Sequence, residues 1–159
     1  MPHMNRKRPL ILGLVIVILI IAYYLISPLF IVKEANDDLP EVSYGMMEAG
    51  VKVEPVQKIL SASLLPYAHD VSGTVSVYDS MGQKTLRFED FETINSPDLF
   101  IYLATDATAD EFVNLGEIRA TKGNVNYEIP LDVDLEKYDT VLVWCRAFRT
   151  LFSYAELKE

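Results

Sequence analysis

The chain has 159 residues and a net charge of −9 at pH 7. Through Pro66 six basic and six acidic residues cancel, so the whole excess lies between Tyr67 and Glu159. A region this acidic repels phosphate backbones, which speaks against nucleic acid as a partner, and it is disfavoured flat against anionic lipid.

Residues 1–9 carry Arg6, Lys7 and Arg8 and read as a short cytoplasmic tail. Between Leu10 and Val32 there is no charge, and nearly every residue is Leu, Ile, Val or Phe. As a helix this run would rise about 34 Å, enough to cross a hydrocarbon core of about 30 Å. A cleaved signal peptide has a shorter apolar core followed by a small-residue cleavage site, whereas here Ser27-Pro28-Leu29 leads into more bulky apolar residues. The run therefore predicts one transmembrane helix over 10–32, with the bilayer as a partner. Tyr23 and Tyr24 would approach the outer interface, and the helix proper would end near Ser27, ahead of Pro28. Basic residues precede the span, and Glu34, Asp37 and Asp38 follow it. That asymmetry predicts a cytoplasmic N-terminus and an extracellular or periplasmic C-terminal domain.

Residues 33–66 read as a stalk, broken by Pro40, Gly45, Gly50, Pro55 and Pro66. Inside it, Pro55 could open a short helix through Leu64, with Val56, Ile59, Leu60 and Leu64 along one side.

From residue 67 to 159 the pattern changes to period two. Val71, Gly73, Val75 and Val77 alternate with Ser72, Thr74, Ser76 and Tyr78. Further strand-like runs cover 85–91, 99–104, 112–118, 125–129, 140–147 and 151–157. Turn residues at Asp79-Ser80-Met81-Gly82, Asn95-Ser96-Pro97-Asp98 and Lys122-Gly123-Asn124 separate several of them. Many short strands with regular turn signals predict an all-β domain, an antiparallel β-sandwich or a barrel-like fold.

Common catalytic signatures are missing: there is no Gly-rich phosphate loop, no G-x-S-x-G, no H-E-x-x-H and no C-x-x-C. His3 and His69 are the two histidines. Asp132, Asp134, Glu136 and Asp139 crowd one segment, but the Gly and distal Glu of an EF-hand loop are lacking, so the segment reads as a solvated acidic loop and no metal ligand is assigned. Cys145 is the single cysteine. On a strand it shares a face with Val141 and Val143, while Leu142, Trp144 and Arg146 share the other. By pattern alone it reads as a small core hydrophobe, with Arg146 on the wrong face to act on the thiol.

Several blocks in order carry a family resemblance: Ser72-Gly73-Thr74-Val75, then Phe91, Pro97-Asp98 and Tyr102-Leu103, then Gly123, Tyr127, Ile129, Pro130 and Tyr138. The strongest is Val143-Trp144-Cys145 followed by Phe148, Phe152, Ala155 and Leu157. Residues 67–159 thereby resemble the DM-thirteen domain, a β module often found beside DOMON domains and proposed to act in electron transfer. The resemblance implies that Cys145 is the redox residue, as a bare thiol or as ligand to a prosthetic group such as haem. Ser153 departs from the Gly expected there. No DOMON or cytochrome-like domain accompanies the module, so the expected electron partner is another redox or membrane protein. Two functions stand side by side: an electron-transfer module held at the membrane, and a structural or interaction domain whose Cys145 is core. Neither is a substrate-turning enzyme.

Overall fold

The computed structural model describes residues 7–27, 31–40 and 56–157. Among these residues one helix, α1 (Lys7–Ile26), precedes ten strands: β1 (Glu34–Asn36), β2 (Gln57–Ser63), β3 (Leu65–Pro66), β4 (Val71–Ser80), β5 (Gln83–Thr93), β6 (Leu99–Ala104), β7 (Phe112–Glu117), β8 (Lys122–Ile129), β9 (Thr140–Cys145) and β10 (Thr150–Glu156). They form two five-stranded sheets, in the orders β1-β8-β5-β4-β2 and β3-β10-β9-β6-β7. Every pairing is antiparallel except that of β1 with β8. The domain is thus a β-sandwich. The barrel alternative is corrected, because the two sheets keep free edges instead of closing on each other.

Period-two alternation builds the core. Val75 and Val77 of β4, Leu86 and Phe88 of β5, and Val125, Tyr127 and Ile129 of β8 face Leu99, Ile101 and Leu103 of β6 and Val141, Val143 and Cys145 of β9. Most of these side chains are wholly removed from water, each worth roughly 1.5–3 kcal/mol for a residue the size of Val, Leu or Phe. The other face of β6 and β9 builds a second apolar cluster from Phe100, Tyr102, Leu142 and Leu151, with Trp144 and Tyr154 packed against it.

Three sequence expectations need correction. The segment up to Leu64 forms no helix. Residues 57–63 are β2, which completes the edge of β4 with Leu60 opposite Val77 and Ala62 opposite Val75. Spacings of three and four suggested a helix, but a register shift between Lys58 and Leu60 re-aims the strand so that Leu60 and Ala62 pack on the core. The stalk is likewise not free over its described part, because β1 lies parallel on β8. Residues 41–55, the middle of that stalk, lie outside the described residues. Finally, the transmembrane helix over 10–32 is not found: α1 ends at Ile26, as the expected end near Ser27 has it, two residues ahead of Pro28, where a helix ordinarily stops. Among the described residues no helix is long and apolar enough to cross a membrane.

Gly123 makes the β1–β8 pairing possible. Its φ is +105°, and a Cβ there would stand 2.1 Å from the Ala35 carbonyl oxygen. Only a residue without a side chain lets β1 approach so closely. Lys33 extends the same join: its N–H donates to Thr121 Oγ1 at 3.1 Å, and the Thr121 N–H donates to the Lys33 carbonyl at 2.7 Å.

Candidate functional site around Cys145

Cys145 is the last residue of β9 and is fully buried. It stands opposite Leu99 of β6 and Thr150 of β10. Val141, Val143 and Cys145 do share the inter-sheet face, and Leu142 and Trp144 the other. The thiol donates to the Pro97 carbonyl at 3.4 Å and lies 3.8 Å from the Ser96 hydroxyl. Both partners belong to the β5–β6 loop, which the sequence marks only as a turn.

That loop is held over the thiol by Arg146. Its backbone N–H donates to the Asp98 carbonyl at 3.0 Å. Its side chain forks onto the Asp98 carboxylate, with Nε at 3.0 Å and Nη2 at 2.8 Å, a planar bidentate pairing. The guanidinium also lies 4.2 Å from the centre of the Phe100 ring. The hydrogen bonds from Arg146 to Asp98 raise its pKa further still. Asp98 itself sits at φ +65°, a left-handed conformation that Asp tolerates better than most residues. Arg146 therefore acts on the site through the loop and not by pointing at sulfur. Sequence pattern placed Arg146 on the opposite face but could not show which carboxylate it would meet.

Beyond Ser96 and Pro97 lies an open cleft of about 280 Å³, lined also by Leu25, His69, Ile94 and Phe148. His69, the one histidine of the sandwich domain, packs its ring against Phe152 with centroids 4.1 Å apart. The structure thus brings His69 and the cover of Cys145 to the same end of the sandwich, with Ser96 and Pro97 between the thiol and the cleft. Ser153 has a buried hydroxyl with no hydrogen-bond partner among the described residues, a cost that the expected glycine would not carry.

The arrangement does not fit a haem on Cys145. Its sulfur is fully buried and engaged by Pro97, and the cleft wall is the loop, not the thiol. A ligand could reach sulfur only after Ser96 and Pro97 moved. Among the described residues no group of three or more His, Cys, Asp or Glu is set to hold a metal. Asp134 instead caps its own loop, accepting from the Glu136 N–H at 2.9 Å.

Compared with known proteins, residues 63–157 match the family described as Electron transfer DM13. No curated protein matches. No solved structure matches. The family match covers more than half of the chain, from the end of β2 to just past β10, and it encloses Cys145 with every residue found around it in the sandwich; the chain belongs to the electron transfer DM13 family.

Proposed function

We propose that this protein is a membrane-anchored, extracytoplasmic electron-transfer module in which Cys145 is the redox residue. The observation that carries the reading is the family match across the sandwich, with the single cysteine at the end of β9 beneath a short, clamped loop. Arg146 and Asp98 hold that loop, so access to the thiol depends on one small segment and not on opening the core. The electron partner is a second protein, in or at the membrane, that meets this end of the sandwich.

The anchor is α1. Its support is the uncharged run from Leu10 to Val32, the preceding Arg6-Lys7-Arg8, and the exposure of its apolar side chains, which the sandwich leaves uncovered. Protease added outside intact cells should remove the sandwich and spare an N-terminal tag. The reverse pattern overturns the topology.

One observation favours a second reading. The thiol is wholly buried, as a packing cysteine would be, and the sandwich would then be an interaction domain. Labelling of the folded full-length chain with a water-soluble thiol reagent separates the two. The redox reading expects labelling without denaturant, and a Cys145→Ser variant that loses it at well under 1 kcal/mol of stability. A packing cysteine labels only after unfolding, and Cys145→Ser then costs roughly 1–3 kcal/mol.

A further inference from the structure

The join between α1 and the sandwich leaves almost no spacer. The Asn95 side-chain amide donates to the Ile31 carbonyl at 3.2 Å, and Lys33 is bound to Thr121. Only four residues separate Ile31 from Ile26, the end of α1, so the five steps between them reach at most about 17 Å when fully extended. The residues of this connection, from Ser27 to Val32, carry no charge, so nothing in them draws the chain out into water.

The same end of the sandwich is apolar where it meets α1. Leu25 of the helix lines one cleft with Ile94 and Phe148. Ile31 and Val32 line a second cleft, of about 390 Å³, again with Ile94 and with Asp70 and Glu92 at its polar side. Phe148 is 58% exposed and Ile94 39%. They project from two different loops, β9–β10 and β5–β6, which have no reason in the sandwich's own packing to present large apolar groups together. The opposite end, at the Met81 hairpin, lies a full strand away, about 30 Å along the ten residues of β4.

We infer that this loop end of the sandwich, with Ile94 and Phe148 at its tip, rests in the outer interfacial layer of the bilayer that holds α1. The inference rests on the anchor reading above. Large apolar side chains such as Phe bury themselves at the boundary between headgroups and acyl chains, and an end-on contact keeps the acidic faces of the sheets away from lipid. The cover over Cys145 then faces the membrane boundary, so a redox partner approaches it from within or along the bilayer.

The test uses the full-length chain in phosphatidylcholine liposomes whose acyl chains carry bromine, a contact quencher of indole emission. The parent, with Trp144 alone, is compared with Phe148→Trp, Ile94→Trp and Met81→Trp, all at exposed positions. Flotation of the liposomes reports the anchor separately. The expected result is that all four chains float, that Phe148→Trp and Ile94→Trp lose a larger fraction of emission to bromine than the parent, and that Met81→Trp loses no more than the parent. If the chains float but the indoles introduced by Phe148→Trp and Ile94→Trp are quenched no more than that of Met81→Trp, the sandwich stands clear of the bilayer and the inference falls while the anchor stands. If the chains do not float, the anchor reading fails and the inference fails with it.

Discussion

The outer faces of the two sheets are built on opposite principles. Across the first sheet one row reads Ser61, Ser76, Arg87 and Asn126, and beside it Glu89 accepts from Ser76 at 2.8 Å, Tyr78 at 2.7 Å and Lys58 at 2.9 Å. Arg87 Nη1 donates to the carbonyls of Asp37 and Asp38 and to Asn126 Oδ1. Across the second sheet the matching row reads Tyr154, Leu142 and Tyr102, and the Tyr102 ring stacks on Phe112 at 4.0 Å. The polar face fastens a distant segment, the stretch after β1, through directional bonds. The apolar face covers itself with rings and needs no partner to satisfy. A hydrogen-bonded face is therefore sensitive to charge state and to single-atom changes, whereas a ring-packed face responds to lost volume.

The largest effect is expected on the apolar face. Leu142 is fully buried there, and Leu142→Ala should cost about 2–5 kcal/mol in chemical denaturation. A cost below 1 kcal/mol would mean that the rings collapse into the space and that this face is far softer than its burial implies. On the polar side, Gly123→Ala places a Cβ against the Ala35 carbonyl at a positive φ. The expected cost is about 1–3 kcal/mol, with faster amide exchange confined to β1 and its contacts on β8. Exchange that quickens uniformly would show that β1 is not a separately fastened strap.

The third expectation concerns pH. Burial alone would raise the Glu89 carboxyl, but the hydrogen bonds from Lys58, Tyr78 and Ser76 outweigh it and hold the group below its ordinary value of 4.5. A carboxyl lowered in the folded state binds fewer protons there than in the unfolded chain. Its contribution is complete above the ordinary value and is lost as pH falls through the lower folded one. Glu89→Gln should therefore flatten the acid limb of the stability profile, whereas Leu142→Ala should shift the whole profile without changing its slope. The smallest effect on stability, and the most informative for the site, belongs to Arg146→Ala. It removes the fork on Asp98 and should speed labelling of Cys145 while leaving the melting temperature nearly unchanged. Unaltered labelling would mean that the loop over the thiol does not depend on this clamp.

Strand periodicity was legible wherever both neighbours of a strand come from within the sandwich. Val75, Val77, Leu86, Phe88, Val141, Val143 and Cys145 alternate in sequence and share the core. The clamp around the thiol was not legible, because Asp98 and Arg146 are 48 positions apart and no local rule pairs them. Ser96 and Pro97 carried only a turn signal, since a turn's sequence specifies its own bend and not the group it will cover.

The sequence by itself determined the all-β character of the C-terminal domain, the face on which Cys145 lies and the uncharged N-terminal run, because each depends on side-chain period or composition along one stretch of chain. Only the tertiary structure decided that 57–63 is a strand, that 34–36 adds a parallel strand to β8, and that Arg146 serves the cysteine through a loop. Edge pairing, the room left by Gly123 and the meeting of Arg146 with Asp98 are fixed by what the rest of the sandwich leaves unpaired, and that quantity has no trace in the residues of any single segment.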